Sequence, residues 1–209
     1  MTHAPAGPRV NRVKNVKKTI ITVFGSSTPD AISDDYQIAL ELGRAIAAEG
    51  WTLCNGGYGG TMEAAAKGAT EAGGHTIGVT CAAFGRRGGP NAYIQQEIPT
   101  FDLLSRLNTL MRLGTAYVVL PGGTGTLLEL ALIWETLNKK VLRGRGPIVL
   151  LGDHWAPLIE PIQLDTPTAV TPAQVATVAE AIGLLRTSLT PNAAPDTDTA
   201  GDESPSSPS

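Results

Sequence analysis

Apolar residues along this chain fall into two alternating rhythms. Short runs with little polar interruption cover residues 19–24 (Thr-Ile-Ile-Thr-Val-Phe), 51–54, 75–80, 116–120 (Ala-Tyr-Val-Val-Leu) and 147–151. Their length and β-branched content predict strands buried on both faces. Between them, longer segments with apolar residues at helical spacing predict helices over residues 34–49, 62–72, about 103–113 and about 126–138. Start and stop signals agree with these limits. Ser33-Asp-Asp35 reads as an N-cap followed by acids that the helix dipole stabilises, and Gly50 and Gly73-Gly74 stop the first two helices. Thr171-Pro172 predicts the start of a last helix, a cap followed by proline at the first helical position. This alternation argues for an α/β fold, a Rossmann-like doubly wound parallel sheet flanked by helices in a single domain.

Composition changes the picture mainly at the ends. The 209 residues support one domain with a single buried core. Residues 190–209 contain no Val, Leu, Ile or aromatic side chain and are dominated by Pro, Ser, Thr, Asp and Ala, so a disordered tail is expected there. A flexible leader is expected over residues 1–17, which leaves 18–189 as the folded domain. The net charge of −3 and the absence of a polybasic stripe argue against nucleic-acid and membrane partners. The basic residues between Arg9 and Lys18 precede no apolar h-region, and Cys54 and Cys81 share no disulfide or metal-ligand spacing; a cytoplasmic chain without metal or cofactor is expected.

Candidate chemistry sits where strands end. Three glycine-rich loops follow predicted strands: Gly25-Ser26-Ser27, Asn55-Gly-Gly-Tyr-Gly-Gly-Thr61 and Pro121-Gly-Gly-Thr-Gly-Thr126. Any one of them could be a tight strand-to-helix turn that needs positive φ. Three together, all at the carboxyl ends of strands, favour a ligand site. In the last loop, backbone N–H groups at a helix start would hold a phosphate through hydrogen bonds and the helix dipole, with the Thr124 and Thr126 hydroxyls as added donors. No Gly-Lys dipeptide is present, which excludes a Walker-type P-loop, and the first loop lacks the Gly-x-Gly-x-x-Gly of a dinucleotide site. Only three histidines exist, and no Gly-x-Ser-x-Gly elbow, so hydrolase chemistry built on serine and histidine has no support.

The stretch Pro121-Gly-Gly-Thr-Gly-Thr-Leu-Leu-Glu129 resembles the PGGxGTxxE signature of the Lonely Guy family, the cytokinin riboside 5′-monophosphate phosphoribohydrolases formerly labelled lysine decarboxylase-like. Gly25-Ser26-Ser27 is similar to that family's first loop, Asn55-Gly-Gly-Tyr-Gly-Gly-Thr-Met-Glu63 to its second, and Trp134 to the tryptophan after the signature, so the resemblance covers roughly residues 19 to 165. It implies hydrolysis of the N-glycosidic bond of a nucleoside 5′-monophosphate, giving free base and ribose 5-phosphate. It also implies a catalytic pair on Arg106 and Glu129. Substrate contacts implied by the same motifs fall on Gly25, Ser26, Gly57, Gly59, Gly60, Met62, Gly122, Gly123, Thr124, Gly125 and Thr126. Glu97 is the candidate counterpart of a further family glutamate upstream of the arginine.

Taken singly, Arg106 reads equally well as a solvated helix arginine and Glu129 as a first-turn acid. The resemblance further implies a homodimer or higher homo-oligomer, for which the leucines at 103, 104, 107, 110 and 113 give modest support. Three positions depart from the family pattern: Leu107 replaces a lysine, Leu128 an acid and Ile133 a threonine, which leaves the preferred base open between cytokinin, adenine and others. A non-catalytic nucleotide or molybdenum-cofactor carrier on the same scaffold is the alternative reading.

Overall fold

The structure, a computed structural model, describes residues 18–85, 89–142, 144–167 and 169–190. The expected leader, and the tail from residue 191 on, lie outside the described residues. Seven strands form one fully parallel sheet: β1 (Ile20–Phe24), β2 (Thr52–Asn55), β3 (Thr76–Cys81), β4 (Gln96–Thr100), β5 (Ala116–Val119), β6 (Ile148–Leu151) and β7 (Ala173–Val175), in the order β4-β3-β2-β1-β5-β6-β7. Six α-helices cover it: α1 (Asp34–Ala48), α2 (Thr61–Glu71), α3 (Leu103–Leu113), α4 (Thr124–Asn138), α5 (Ala156–Asp165) and α6 (Val178–Leu189).

Strand alternation sorts the core into two halves. Ile21, Val23, Leu53, Val118, Val149 and Leu151 point to one face and pack with α1, α2 and α6. Their neighbours Cys54, Tyr117, Val119, Ile148 and Leu150 point to the other and pack with residues of α3 and α4. Burial on both sides is why the central strands read as nearly continuous apolar runs. The order of strands reverses between β1 and β5, and the loops that follow those two strands open a crevice there.

Three elements differ from the sequence expectation. Strand β4 was not predicted, because Gln96-Glu-Ile-Pro-Thr100 is polar and carries Pro99. It sits at the sheet edge, paired only with β3, where a missing N–H is tolerated. Helix α5 is hidden by Pro157 and by the internal Pro161. Thr171-Pro172 leads into the short strand β7 and starts no helix; α6 begins at Val178, where Thr177 and Glu180 form a complete capping box. Among the described residues no helix is long and apolar enough to cross a membrane.

Candidate active site

The loops after β1 and β5, with Tyr58 and Met62 from the region after β2, surround a cleft of about 360 Å³, within the range of small-molecule sites. One end presents backbone donors at a helix start. Helix α4 starts at Thr124 with no side-chain cap from Gly123, and its first hydrogen bond runs from the Leu127 N–H to the Gly123 carbonyl at 2.9 Å. The N–H groups of Thr124, Gly125 and Thr126 therefore have no intrahelical partner where these residues line the cleft, and the positive end of the helix dipole adds to their attraction for a phosphate. A Cβ built on Gly123 or Gly125 meets nothing within 4 Å, so the fold itself leaves room for a side chain at both positions. Gly25, Ser26 and Ser27 face this helix start from across the cleft.

The floor is a buried ion pair. Arg106, on α3, donates from Nη1 to Glu129 Oε1 at 3.2 Å, with side-chain exposures of 6% and 9%. Its Nε donates to the Val79 carbonyl at 2.9 Å, which fixes the guanidinium against the end of β3. Its Nη2 occupies the space of an absent side chain, since a Cβ on Gly56 would lie 1.9 Å away. The rings of Tyr58 and Phe84 each stand 5.6 Å from its central carbon and complete an aromatic wall around the charge. Tyr58 is held in turn by its hydroxyl, which accepts from the Cys81 N–H at 2.8 Å, and by the Asn91 amide, which donates to the Tyr58 carbonyl at 2.8 Å.

Electrostatics at Glu129 are a contest that burial wins. Removal from water pushes its carboxyl up to about 7, against the charge and hydrogen bond of Arg106, which pull it down. A carboxyl that titrates near neutrality, inside a cleft and beside a fixed cation, is suited to acid–base or electrostatic work. The remaining walls are apolar: Met62, Leu103, Leu107 and Leu128 join the two aromatic rings.

Of the residues expected from sequence, Arg106 and Glu129 come together, and Gly25, Ser26, Met62, Gly123, Thr124, Gly125 and Thr126 line the cleft. Gly57, Gly59, Gly60 and Gly122 do not. Gly57 and Gly60 take positive φ angles of 77° and 67°. A Cβ on Gly60 would lie 2.4 Å from the Ser26 carbonyl, so this glycine lets the second loop lie against the first. The Thr61 N–H donates to that same carbonyl at 2.9 Å. A Cβ on Gly122 would meet Thr126 Oγ1 at 2.2 Å. Glu97 stands apart: it lies exposed on edge strand β4 and accepts from the Thr80 hydroxyl at 2.6 Å, so its shared chemistry with Glu129 gives it no place in the cleft. Sequence reasoning passed over Gly56, Tyr58 and Phe84. The first two belong to the glycine-rich loop after β2, but nothing in the pattern reveals that they surround an arginine about 50 residues downstream.

The sequence profile of the SLOG cluster4 family matches residues 18–177. The chain belongs to this family. Among curated relatives of this SLOG protein, the cytokinin riboside 5′-monophosphate phosphoribohydrolase of Rhodococcoides fascians is 32% identical over 149 residues, covering 68% of this chain and 73% of the relative. The enzyme of the same name from Mycobacterium tuberculosis is 37% identical over 115 residues, 54% of this chain and 61% of the relative, so that match spans less than two thirds of the mycobacterial enzyme. Solved structures of similar shape include the molybdenum cofactor carrier protein of Chlamydomonas reinhardtii, at a TM-score of 0.68 and 30% identity over 83% of this chain and 99% of that one. The molybdenum cofactor binding protein of Rippkaea orientalis superposes at a TM-score of 0.69 and 27% identity, over 82% and 98% of the two chains.

Proposed function

We propose that this SLOG protein is a nucleoside 5′-monophosphate phosphoribohydrolase that cleaves the N-glycosidic bond to release a free base and ribose 5-phosphate. The observation that carries the reading is the placement of the buried Arg106–Glu129 pair one helical turn beyond an open anion cradle. Glu129 follows Thr126 by three residues, about 4.5 Å along the helix axis. A phosphate held by the amides of residues 124–126 thus brings the sugar of the same molecule toward the carboxylate.

The chemistry follows from these groups. As the bond from the anomeric carbon to the base nitrogen breaks, its electron pair leaves with the base, and positive charge builds on the sugar. The Glu129 carboxylate stabilises that charge, or takes a proton from the water whose oxygen bonds to the anomeric carbon. Arg106 fixes the carboxylate in place, and its charge opposes the effect of burial on ionisation. The base fits the wall of Tyr58, Phe84, Leu103, Leu107 and Leu128. With leucine at 107 and 128, that wall selects by shape and stacking more than by charge.

The likeness to molybdenum cofactor carriers supports a second reading, in which a phosphate-bearing ligand sits in the same cradle without turnover. A panel of nucleoside monophosphates and their parent nucleosides, assayed for free base and ribose 5-phosphate, separates the two. Release from monophosphates only is expected. No release from any substrate moves the chain to the carrier class, and equal cleavage of adenosine and AMP removes the phosphate cradle from the argument.

A further inference from the structure

Helix α4 and its glycine loop are held from behind by two rings that the cleft itself does not contain. Trp155, buried at the start of α5, donates from Nε1 to the Leu120 carbonyl at 3.0 Å. His154 places Nε2 3.0 Å from the Gly122 carbonyl, and its ring meets Trp155 edge-on with centroids 4.6 Å apart. A carbonyl oxygen can only accept, so His154 Nε2 carries the hydrogen in this contact. The two accepting carbonyls flank Pro121, whose own ring fixes its φ.

We propose that His154 and Trp155 are positioning residues for anion binding, clamping residues 120–123 so that the Gly123 N–H is aimed at the phosphate. The proposal rests on the reading of the α4 start as the phosphate cradle. In a trans peptide the carbonyl and the N–H point in opposite directions. The Gly122 carbonyl and the Gly123 N–H belong to one such peptide, so holding the oxygen toward His154 turns the N–H to the opposite side. Gly123 lines the cleft and leads directly into the helix start, so this amide adds a donor to those of residues 124–126. A donor on the carbonyl also polarises the peptide and strengthens the N–H on its far side.

Physical need for such a clamp comes from the loop's composition. Gly122 and Gly123 have the largest conformational freedom to lose, and an unheld pair would order only on binding, at the expense of affinity. Holding the loop before the ligand arrives moves that cost into folding, where the buried Trp155 indole is already ordered by the core packed around it. His154 is exposed and touches that core at the Trp155 ring, a contact that leucine's bulk can keep, so its substitution tests the clamp without opening the core.

The test compares the full chain with His154→Leu, which keeps bulk and loses the donor, and His154→Gln, which restores an N–H at similar reach. Binding of ribose 5-phosphate is measured by calorimetry, and AMP hydrolysis by steady-state kinetics. For His154→Leu, ribose 5-phosphate binding weakens about three- to tenfold, the range expected for one hydrogen bond. KM for AMP rises by a similar factor while kcat stays within about twofold, and His154→Gln recovers most of the loss. Trp155→Phe, checked for an unchanged melting profile, moves binding in the same direction. Wild-type affinity in His154→Leu, no recovery in His154→Gln, or a wild-type protein that does not bind ribose 5-phosphate overturns the clamp. A wild-type protein that binds ribose 5-phosphate but releases no base from AMP overturns the hydrolase reading alone, and the clamp is then judged on the binding data.

Discussion

Substituting Glu129→Gln removes one titrating proton from the interior while preserving shape and an acceptor oxygen for Arg106. Its effect on stability depends on pH in a way the geometry fixes. Burial raises the Glu129 carboxyl from 4.5 in the unfolded reference to about 7 in the folded chain. The folded state therefore binds this proton more tightly than the unfolded state. Its contribution to stability is fully present below pH 4.5 and is lost as pH rises through 7. For this displacement the loss is about 3 kcal/mol. Other groups titrate in both proteins and cancel in the difference, so wild type minus variant should fall by about 3 kcal/mol between pH 4 and pH 8. Urea unfolding at intervals of pH, followed by tryptophan emission, measures it. The same carboxyl sets the activity profile: the ionised form does the work, so kcat/KM for AMP rises with pH through about 7. The substrate phosphate titrates near pH 6, so the pH dependence of ribose 5-phosphate binding to Glu129→Gln serves as the reference for the ligand's own proton. A stability difference that stays flat from pH 4 to pH 8 refutes the burial argument. Activity that falls through pH 7 makes Glu129 a proton donor in place of a carboxylate.

Four further outcomes follow from the same site. Glu129→Gln lowers turnover by about two orders of magnitude or more with nucleotide binding retained, as read by single-turnover base release and calorimetry. Gly123→Val leaves the melting temperature near wild type, since a Cβ there meets nothing within 4 Å, but weakens ribose 5-phosphate binding by about tenfold or more by blocking backbone approach; unchanged binding would remove the loop from recognition. Gly56→Ala forces Arg106 from its seat, because its Cβ would lie 1.9 Å from Nη2; kcat/KM falls by about tenfold or more, and full activity would show that the seat is dispensable. Light scattering should give a dimer or larger assembly, because Phe101 and Leu104 at the start of α3 and Leu128 on α4 are 83%, 71% and 43% exposed; a monomer at micromolar concentration contradicts this.

What the sequence made legible depended on whether the signal was local. The central strands carry their burial in their composition, and the start of α1 carries its cap in Ser33, so both are visible without a structure. Strand β4 and helix α5 carry prolines that argue against them, and only tertiary pairing or packing overrides that local preference. Thr171-Pro172 shows the converse: a good local start signal lost to the capping box at Thr177 and Glu180 a few residues later. At the site, Arg106 and Glu129 were identifiable through motif resemblance. Their mutual contact was not, because it spans 23 residues and depends on α3 and α4 packing on one face of the sheet. That Glu97 lies outside the cleft lining was not legible for a related reason. Spacing along the chain says nothing about which side of an edge strand a carboxylate occupies, and the structure spends this one on Thr80.

Whether the cleft only holds a ligand or also transforms it turns on the energetic position of Glu129. An anion cradle works by presenting donors and positive potential, which is what the helix start at residues 123–126 offers the cleft. A carboxylate a turn away does the reverse, since it repels the phosphate and costs about 3 kcal/mol to ionise in its buried setting. For storage or transport of a phosphate-bearing molecule, glutamine at 129 would keep the hydrogen bond from Arg106 without either penalty, at the cost of the guanidinium's counter-charge. A catalyst gains from the same arrangement, because positive charge arises at the anomeric carbon only in the transition state, and an ionised carboxylate beside it then becomes favourable. The carrier and hydrolase readings therefore agree on one effect of this substitution and differ on another. Glu129→Gln should tighten binding of ribose 5-phosphate at pH 8 in either case, whereas a fall in base release by about two orders of magnitude or more is expected only if the carboxylate faces the breaking bond, because a carrier has no release to lose. Tight binding with undiminished release would leave the buried acid unexplained by either reading.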